Sequence, residues 1–195
     1  MKKRFSIAIL TMGLSGLAAQ VLLLRELLIV FSGNELSIGI VLSNWLILEA
    51  CGCYFLGSRA ERSENRLEAY TVIATIFSLS LLLAIYLIRT LKGTLGLSIG
   101  ESIGFVPMLF SSFLILLPVC VFHGALFPFS CRIYAMFSGQ EASSAGRVYV
   151  YDTVGTIIGG IVCTYLLIPY LNTFQASAWI ALLNLAVCLV LLAPS

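Results

Sequence analysis

The feature that most constrains this chain is a set of apolar blocks, each about long enough to cross a hydrocarbon layer as a helix. Such a crossing takes about 20 residues. Six blocks approach or exceed that length: 5–31, 36–57, 69–91, 104–129, 151–171 and 174–192. They are apolar on every face, whereas the strands of an outer-membrane barrel alternate apolar with polar residues. Composition agrees. Hydrophobic residues make up 60% of the 195-residue chain and charged residues 10%, with a mean hydropathy of +1.05. A soluble domain is only about half apolar. The expected fold is an all-α integral membrane protein, a bundle of six transmembrane helices in one polytopic domain over 1–195.

Cations set the expected orientation, because cytoplasmic loops carry an excess of lysine and arginine. Lys2, Lys3 and Arg4 precede the first block; Arg59, Arg62 and Arg66 lie around the second loop; Arg132 and Arg147 flank the fourth. With six spans all of them fall on one side, and the other side has Arg89 and Lys92. Both termini are therefore expected in the cytoplasm. A cleavable signal peptide competes for the N-terminus, since MKKR and the small-residue stretch GLAAQ resemble one. The apolar run continues about a dozen residues beyond Ala19, longer than a signal core of 7–15 residues, which favours an uncleaved first helix.

The same evidence excludes several classes. A net charge of +2 with no basic tract argues against nucleic acid as a partner. Six cysteines (Cys51, Cys53, Cys120, Cys131, Cys163 and Cys188) form no CxxC pair, and the chain has one histidine. Zinc, haem and iron–sulfur centres of the usual kinds lack ligands, so no metal and no cofactor is expected. The cysteines read as small apolar residues.

Charged and amide residues at membrane depth are costly and mark function or specific packing. Arg25 and Glu26 interrupt the run AAQVLLLRELLIVF, with Arg25 roughly 9 Å inside the outer end of the first helix at a rise of about 1.5 Å per residue. Asn44 lies about 12 Å from the outer end of the second. Arg25 can extend its head outward or bond to Asn44 or a carboxylate, giving an outer-side polar cluster of Arg25, Glu26 and Asn44. Glu49 lies about 12 Å from the cytoplasmic interface, His123 about 8 Å from it, and Asp152 opens the fifth helix nearby. Glu49 bonded to His123 would make a proton-accepting or cation-binding pair, and Glu49, His123 and Asp152 form a candidate intramembrane site. The plainer alternatives are a protonated Glu49 on a backbone carbonyl, and an Asp152 placed in a first helical turn where the dipole favours it. Gly155, Gly159 and Gly160 give a GxxxG pattern for close packing within the bundle. Gly96, Gly100 and Gly104 recur every four residues, and Pro107, Pro118 and Pro128 imply kinks or a break in the fourth helix.

Three stretches resemble one family. SGLAAQVLLLRELLIVFSGNELSIGIVLSNWLILEACGCYFLGSRAER, FHGALFPFSCRIY and GRVYVYDTVGTIIGGIVCTYLLIPYL resemble the membrane region of bacterial membrane-bound spermidine synthase-like proteins, also described as fused major-facilitator/spermidine synthase proteins. Gln20 and Arg25 match the family's Glu/Gln and Arg in the first helix, which adds Gln20 to the outer-side cluster. Asp152 stands where an asparagine is usual. The resemblance implies a bacterial inner membrane. It also implies that aminopropyltransferase chemistry belongs to a soluble domain following the helices, and no glycine fingerprint of such a domain occurs in these residues. Two functions are expected on this basis. One is a membrane-anchoring or scaffolding module for an aminopropyltransferase-like domain or other membrane subunits, with no catalytic site of its own. The other is a small transporter of a cation or polyamine, acting as a homo-oligomer through Glu49 and His123.

Overall fold

A computed structural model of the chain describes residues 1–31, 33–62, 65–94, 103–139 and 141–193. The described residues contain no strand. Five long helices come first: α1 (Lys2–Val30), α2 (Glu35–Arg62), α3 (Arg66–Thr94), α4 (Phe105–Ser138) and α5 (Glu141–Val162). A π-helical segment, Cys163–Leu167, and the single turn α6 (Ile168–Tyr170) carry α5 onward, and α7 (Thr173–Leu192) closes the chain. Among the described residues, six helical stretches are long and apolar enough to cross a membrane, the fifth running Ser143–Tyr170.

Several helices outrun the apolar blocks. α2 continues to Arg62, α4 to Ser138, and α5 begins at Glu141 rather than near 151. Hydropathy marks where the apolar solvent would end, whereas Ala, Glu and Arg at those ends are good helix formers and carry the backbone further. The basic residues gather at the end where α1, α3 and α5 start and α2, α4 and α7 finish. Contacts tie that end together: Arg4 Nη1 donates to the Ala193 carbonyl at 3.2 Å, and Lys2 Nζ stands 5.4 Å from the centre of the Tyr134 ring.

The prolines do not interrupt the fourth helix. α4 is helical through both Pro118 and Pro128, without the break expected near His123. Pro107 falls in its first turn, where a missing N–H leaves no bond unmade. The irregularity is instead on the fifth span. Proline removes one helical bond and its ring crowds the carbonyl four residues back. Ahead of Pro169 the helix widens, and Ile168 N–H reaches back five residues to the Cys163 carbonyl. Of the glycine series, Gly96 and Gly100 lie outside the described residues, and Gly104 is the N-cap of α4.

α1 is the central helix, packed on α2, α3, α4, α5 and α7. Small residues set two of the closest approaches. A Cβ on Gly155 or Gly159 of α5 would run into the backbone of α1 at Leu10 or Leu14, and one on Gly160 would meet the Leu17 side chain. The GxxxG pattern thus packs α5 on α1 within the bundle. α2 and α4 meet in the same way, Gly52 against the Val121 backbone and Gly124 against that of Glu49. Apolar side chains form two separate clusters. One, farther from the basic end, includes Leu22, Leu23, Phe77 and Leu116; the other, nearer the basic end, includes Phe5, Ile9, Phe129 and Tyr134. Residues 13–17 of α1 lie between the two, and the polar site is at that level.

Candidate functional site

Two glycines on α1 make room for the site. Gly13 and Gly16 are three residues apart and so share one face, about one turn from each other. The His123 ring of α4 occupies the space where a Gly16 side chain would stand. Asp152 of α5 does the same over Gly13, with its Oδ1 at 2.9 Å from the position of a Cβ there. His123 and Asp152 therefore rest on neighbouring steps of one helix.

The approach of α2 to α4 supplies the third member. Glu49 is level with Gly124, and its Oε1 lies 2.5 Å from His123 Nδ1. The other ring nitrogen, Nε2, lies 3.4 Å from the Met12 carbonyl. Phe77 and Trp45 pack at 5.1 and 6.4 Å between ring centres and fix the imidazole plane. Asp152 is within electrostatic reach of both His123 and Glu49.

These groups line a cavity of about 510 Å³ between α1, α2, α4 and α5. Gln20, Glu49, His123, Asp152 and Thr156 supply its polar wall, and Trp45, Phe127 and Tyr149 an aromatic one. Exposed Leu46, Cys53 and Tyr149 mark where it meets the surface. Among the described residues, no lysine or arginine lines it. Nor, among them, do three His, Cys, Asp or Glu side chains converge as a metal would require. The cavity can hold a ligand larger than a bare ion, with carboxylates for positive charge and aromatic faces for its carbon skeleton.

The expected trio of Glu49, His123 and Asp152 is thus brought together, with one change of role. α5 starts at Glu141, so Asp152 is about three turns inside the helix and does not cap a first turn. The outer-side cluster does not form. Gln20 lines the cavity, Arg25 is exposed, and Asn44 donates to Ser112 Oγ at 2.9 Å and to the Leu109 carbonyl at 3.1 Å. Glu26 is the buried member of the Arg-Glu pair, and it meets Arg89 of α3 through two contacts of 3.1 Å. Depth along the axis places a residue at a level but not on a face, and neighbours diverge by about 100° around a helix.

Sequence reasoning passed over a second polar contact. Ser15 of α1 donates to Thr11 O at 2.7 Å and to Asn184 Oδ1 of α7 at 3.3 Å, while Asn184 Nδ2 donates to Ile180 O. An asparagine inside TFQASAWIALLNLAVCLVLL was the available signal. Comparison with known proteins adds no identification: no family model, no curated protein and no solved structure matches the chain.

Proposed function

We propose that this chain is a multi-pass membrane protein that binds a small organic cation of the amine class in the cavity between α1, α2, α4 and α5, and carries it across the bilayer. One observation carries the reading: Glu49, His123 and Asp152, from three different helices, line a single cavity at the middle level of the bundle. Placing ionisable groups at that depth is costly and is sustained where they serve a substrate or ion path. Two carboxylates and one histidine leave the wall negative or neutral, and Trp45, Phe127 and Tyr149 suit an alkylammonium better than a hydrated metal ion. The excess of cations at one end supports a cytoplasmic placement of both termini, and the sequence resemblance supports a bacterial inner membrane.

The test is a titration of the purified protein, in lipid nanodiscs, with n-butylammonium and 1,4-diaminobutane. Trp45 fluorescence in a Trp179→Phe background reports occupancy. Vesicle uptake of labelled 1,4-diaminobutane reports transport. Glu49→Gln and Asp152→Asn should each weaken binding about tenfold to a hundredfold, the loss expected for a charge-assisted contact worth about 1.5–3 kcal/mol. Wild-type affinity and uptake in both variants would refute the reading.

A second reading rests on the stretch GRVYVYDTVGTIIGGIVCTYLLIPYL and its resemblance to the membrane region of spermidine synthase-like proteins. In that reading the bundle anchors an aminopropyltransferase-like domain at the cytoplasmic face. Native mass spectrometry after gentle extraction separates the two, since an anchor should co-purify with its soluble partner.

A further inference from the structure

We infer that ligand entry expels a proton held between His123 and Glu49, so that binding of one organic cation releases about one proton to solvent. This deepens the amine-binding reading and rests on it. Nδ1 faces a Glu49 oxygen at 2.5 Å and Nε2 faces the Met12 carbonyl at 3.4 Å, and both of those oxygens are acceptors. A neutral imidazole with its hydrogen on Nε2 alone would turn the Nδ1 lone pair toward a carboxylate lone pair. A neutral imidazole with its hydrogen on Nδ1 alone would turn the Nε2 lone pair toward a carbonyl oxygen. Both contacts are hydrogen bonds only when the pair holds two protons, one on Nε2 and one between Nδ1 and Oε1. Whichever atom carries the second, the His123–Glu49 pair is then neutral as a unit.

Among the described residues, its surroundings contain nothing that would replace that proton. The groups that touch the imidazole or share its cavity include Met12 and Gly16 from α1, Trp45, Glu49 and Cys53 from α2, Phe77 from α3, and Tyr149 and Asp152 from α5. None of these is a cation at neutral pH, and Asp152 is a second carboxylate. An arriving alkylammonium that docks on Glu49 therefore competes with the bridging proton for the same oxygen. It brings one positive charge to a site already neutralised by one. The step balances simply. The Nδ1 hydrogen leaves to water as a proton, Nε2–H stays on the Met12 carbonyl, and the freed Nδ1 lone pair accepts from the incoming ammonium. One N–H bond breaks, and the site's net charge is unchanged. Asp152, one turn away along α1, takes a second ammonium when the ligand has two.

Linkage fixes the sign of the pH dependence. Because the bound state holds one proton fewer, affinity rises with pH, by about tenfold per unit where the free site holds the bridging proton. A carrier built this way moves a proton in one direction for each cation in the other.

The experiment uses the wild-type protein, whose single histidine makes its spectrum unambiguous. Calorimetric titration with 1,4-diaminobutane in two buffers of different ionisation heat gives the protons released per ligand. The ¹⁵N spectrum of His123, free and saturated, gives the state of Nδ1. Release of about one proton, with Nδ1 passing from hydrogen-bearing to lone-pair form, is the expected result. Saturable binding with no proton released, or a histidine spectrum unchanged between the two states, overturns this inference and leaves amine binding standing. No fluorescence or heat change with any amine overturns amine binding and this inference together. His123→Gln adds a check on the assignment: it should weaken binding, and the binding that remains should release no proton.

Discussion

Arg89 of α3 grips Glu26 of α1 with two nitrogens, each 3.1 Å from a separate carboxylate oxygen. The pair is lopsided: the glutamate side chain is 9% exposed and the arginine 48%. Thr173, at the start of α7, adds a hydroxyl to the same carboxylate. Three helices thus meet on one buried charge at the end of the bundle opposite the basic residues of the N-terminus.

Removing the arginine strands that charge. Arg89→Leu should lower stability by about 2 kcal/mol, the scale of a lost hydrogen bond to a charged group. Arg25→Leu, at an exposed neighbour, should change stability by no more than about 0.5 kcal/mol. Thermal unfolding of both variants in one detergent decides it. Equal losses would mean that Arg25 also holds the carboxylate.

The glycine seams separate crowded from open positions. Gly155→Ala drives a methyl into the Leu10 backbone, and overpacking of this kind costs about 1–3 kcal/mol. Gly146→Ala, nearer the start of the same helix, meets nothing within 4 Å and should gain stability, by up to about 1 kcal/mol of helix propensity. The opposite order of melting temperatures would contradict the placement of α5 on α1.

Cysteine labelling tests whether the cavity is wet. Cys53 is exposed and lines the cavity, whereas Cys120, Cys163 and Cys188 are buried. A charged, water-soluble methanethiosulfonate should modify Cys53 and spare those three, and 1,4-diaminobutane should slow the reaction. A Cys53 reachable only by a membrane-permeant reagent would place it against lipid.

The entry to α7 offers a local check. Asn172 accepts from the Gln175 N–H at 2.8 Å, and the Gln175 side chain accepts in return from the Asn172 N–H at 3.2 Å. Breaking this capping box with Asn172→Ala should cost about 1 kcal/mol. Asn172→Ser should restore most of it. Loss of the same size in both would show that the side chain does something besides capping.

Much of this was legible in the residues. Block length and the side occupied by cations gave the helix number and the common end of the basic residues. Comparable depths brought Glu49 and His123 level, and the small-residue pattern pointed to close packing at Gly155 and Gly159. What depth could not supply was rotation. The face that α1 turns inward follows Met12, Ser15, Ala19, Leu22, Glu26 and Val30, all buried, and that stripe selects Glu26 over Arg25. The alternation of three- and four-residue steps was present in the sequence, hidden because every face of the run is apolar. The widened turn at Cys163–Leu167 was signalled by Pro169, while Pro118 and Pro128 gave the same signal inside a helix that remains whole. A proline states that one bond is missing, and its neighbours decide how the helix absorbs the loss.

The central place of α1 has a consequence for biosynthesis. It is made before α3, α4 and α5, yet its glycine face is filled by α4 and α5 and its Glu26 by α3. At translation rates of about 5–20 residues per second, α1 waits on the order of ten seconds before α5 exists. During that interval a carboxylate and a bare strip of glycine backbone must be shielded by whatever receives the nascent chain. The neighbours that finally bury those groups, α3, α4 and α5, arrive one after another, so the packing of α1 is completed by the later part of the chain.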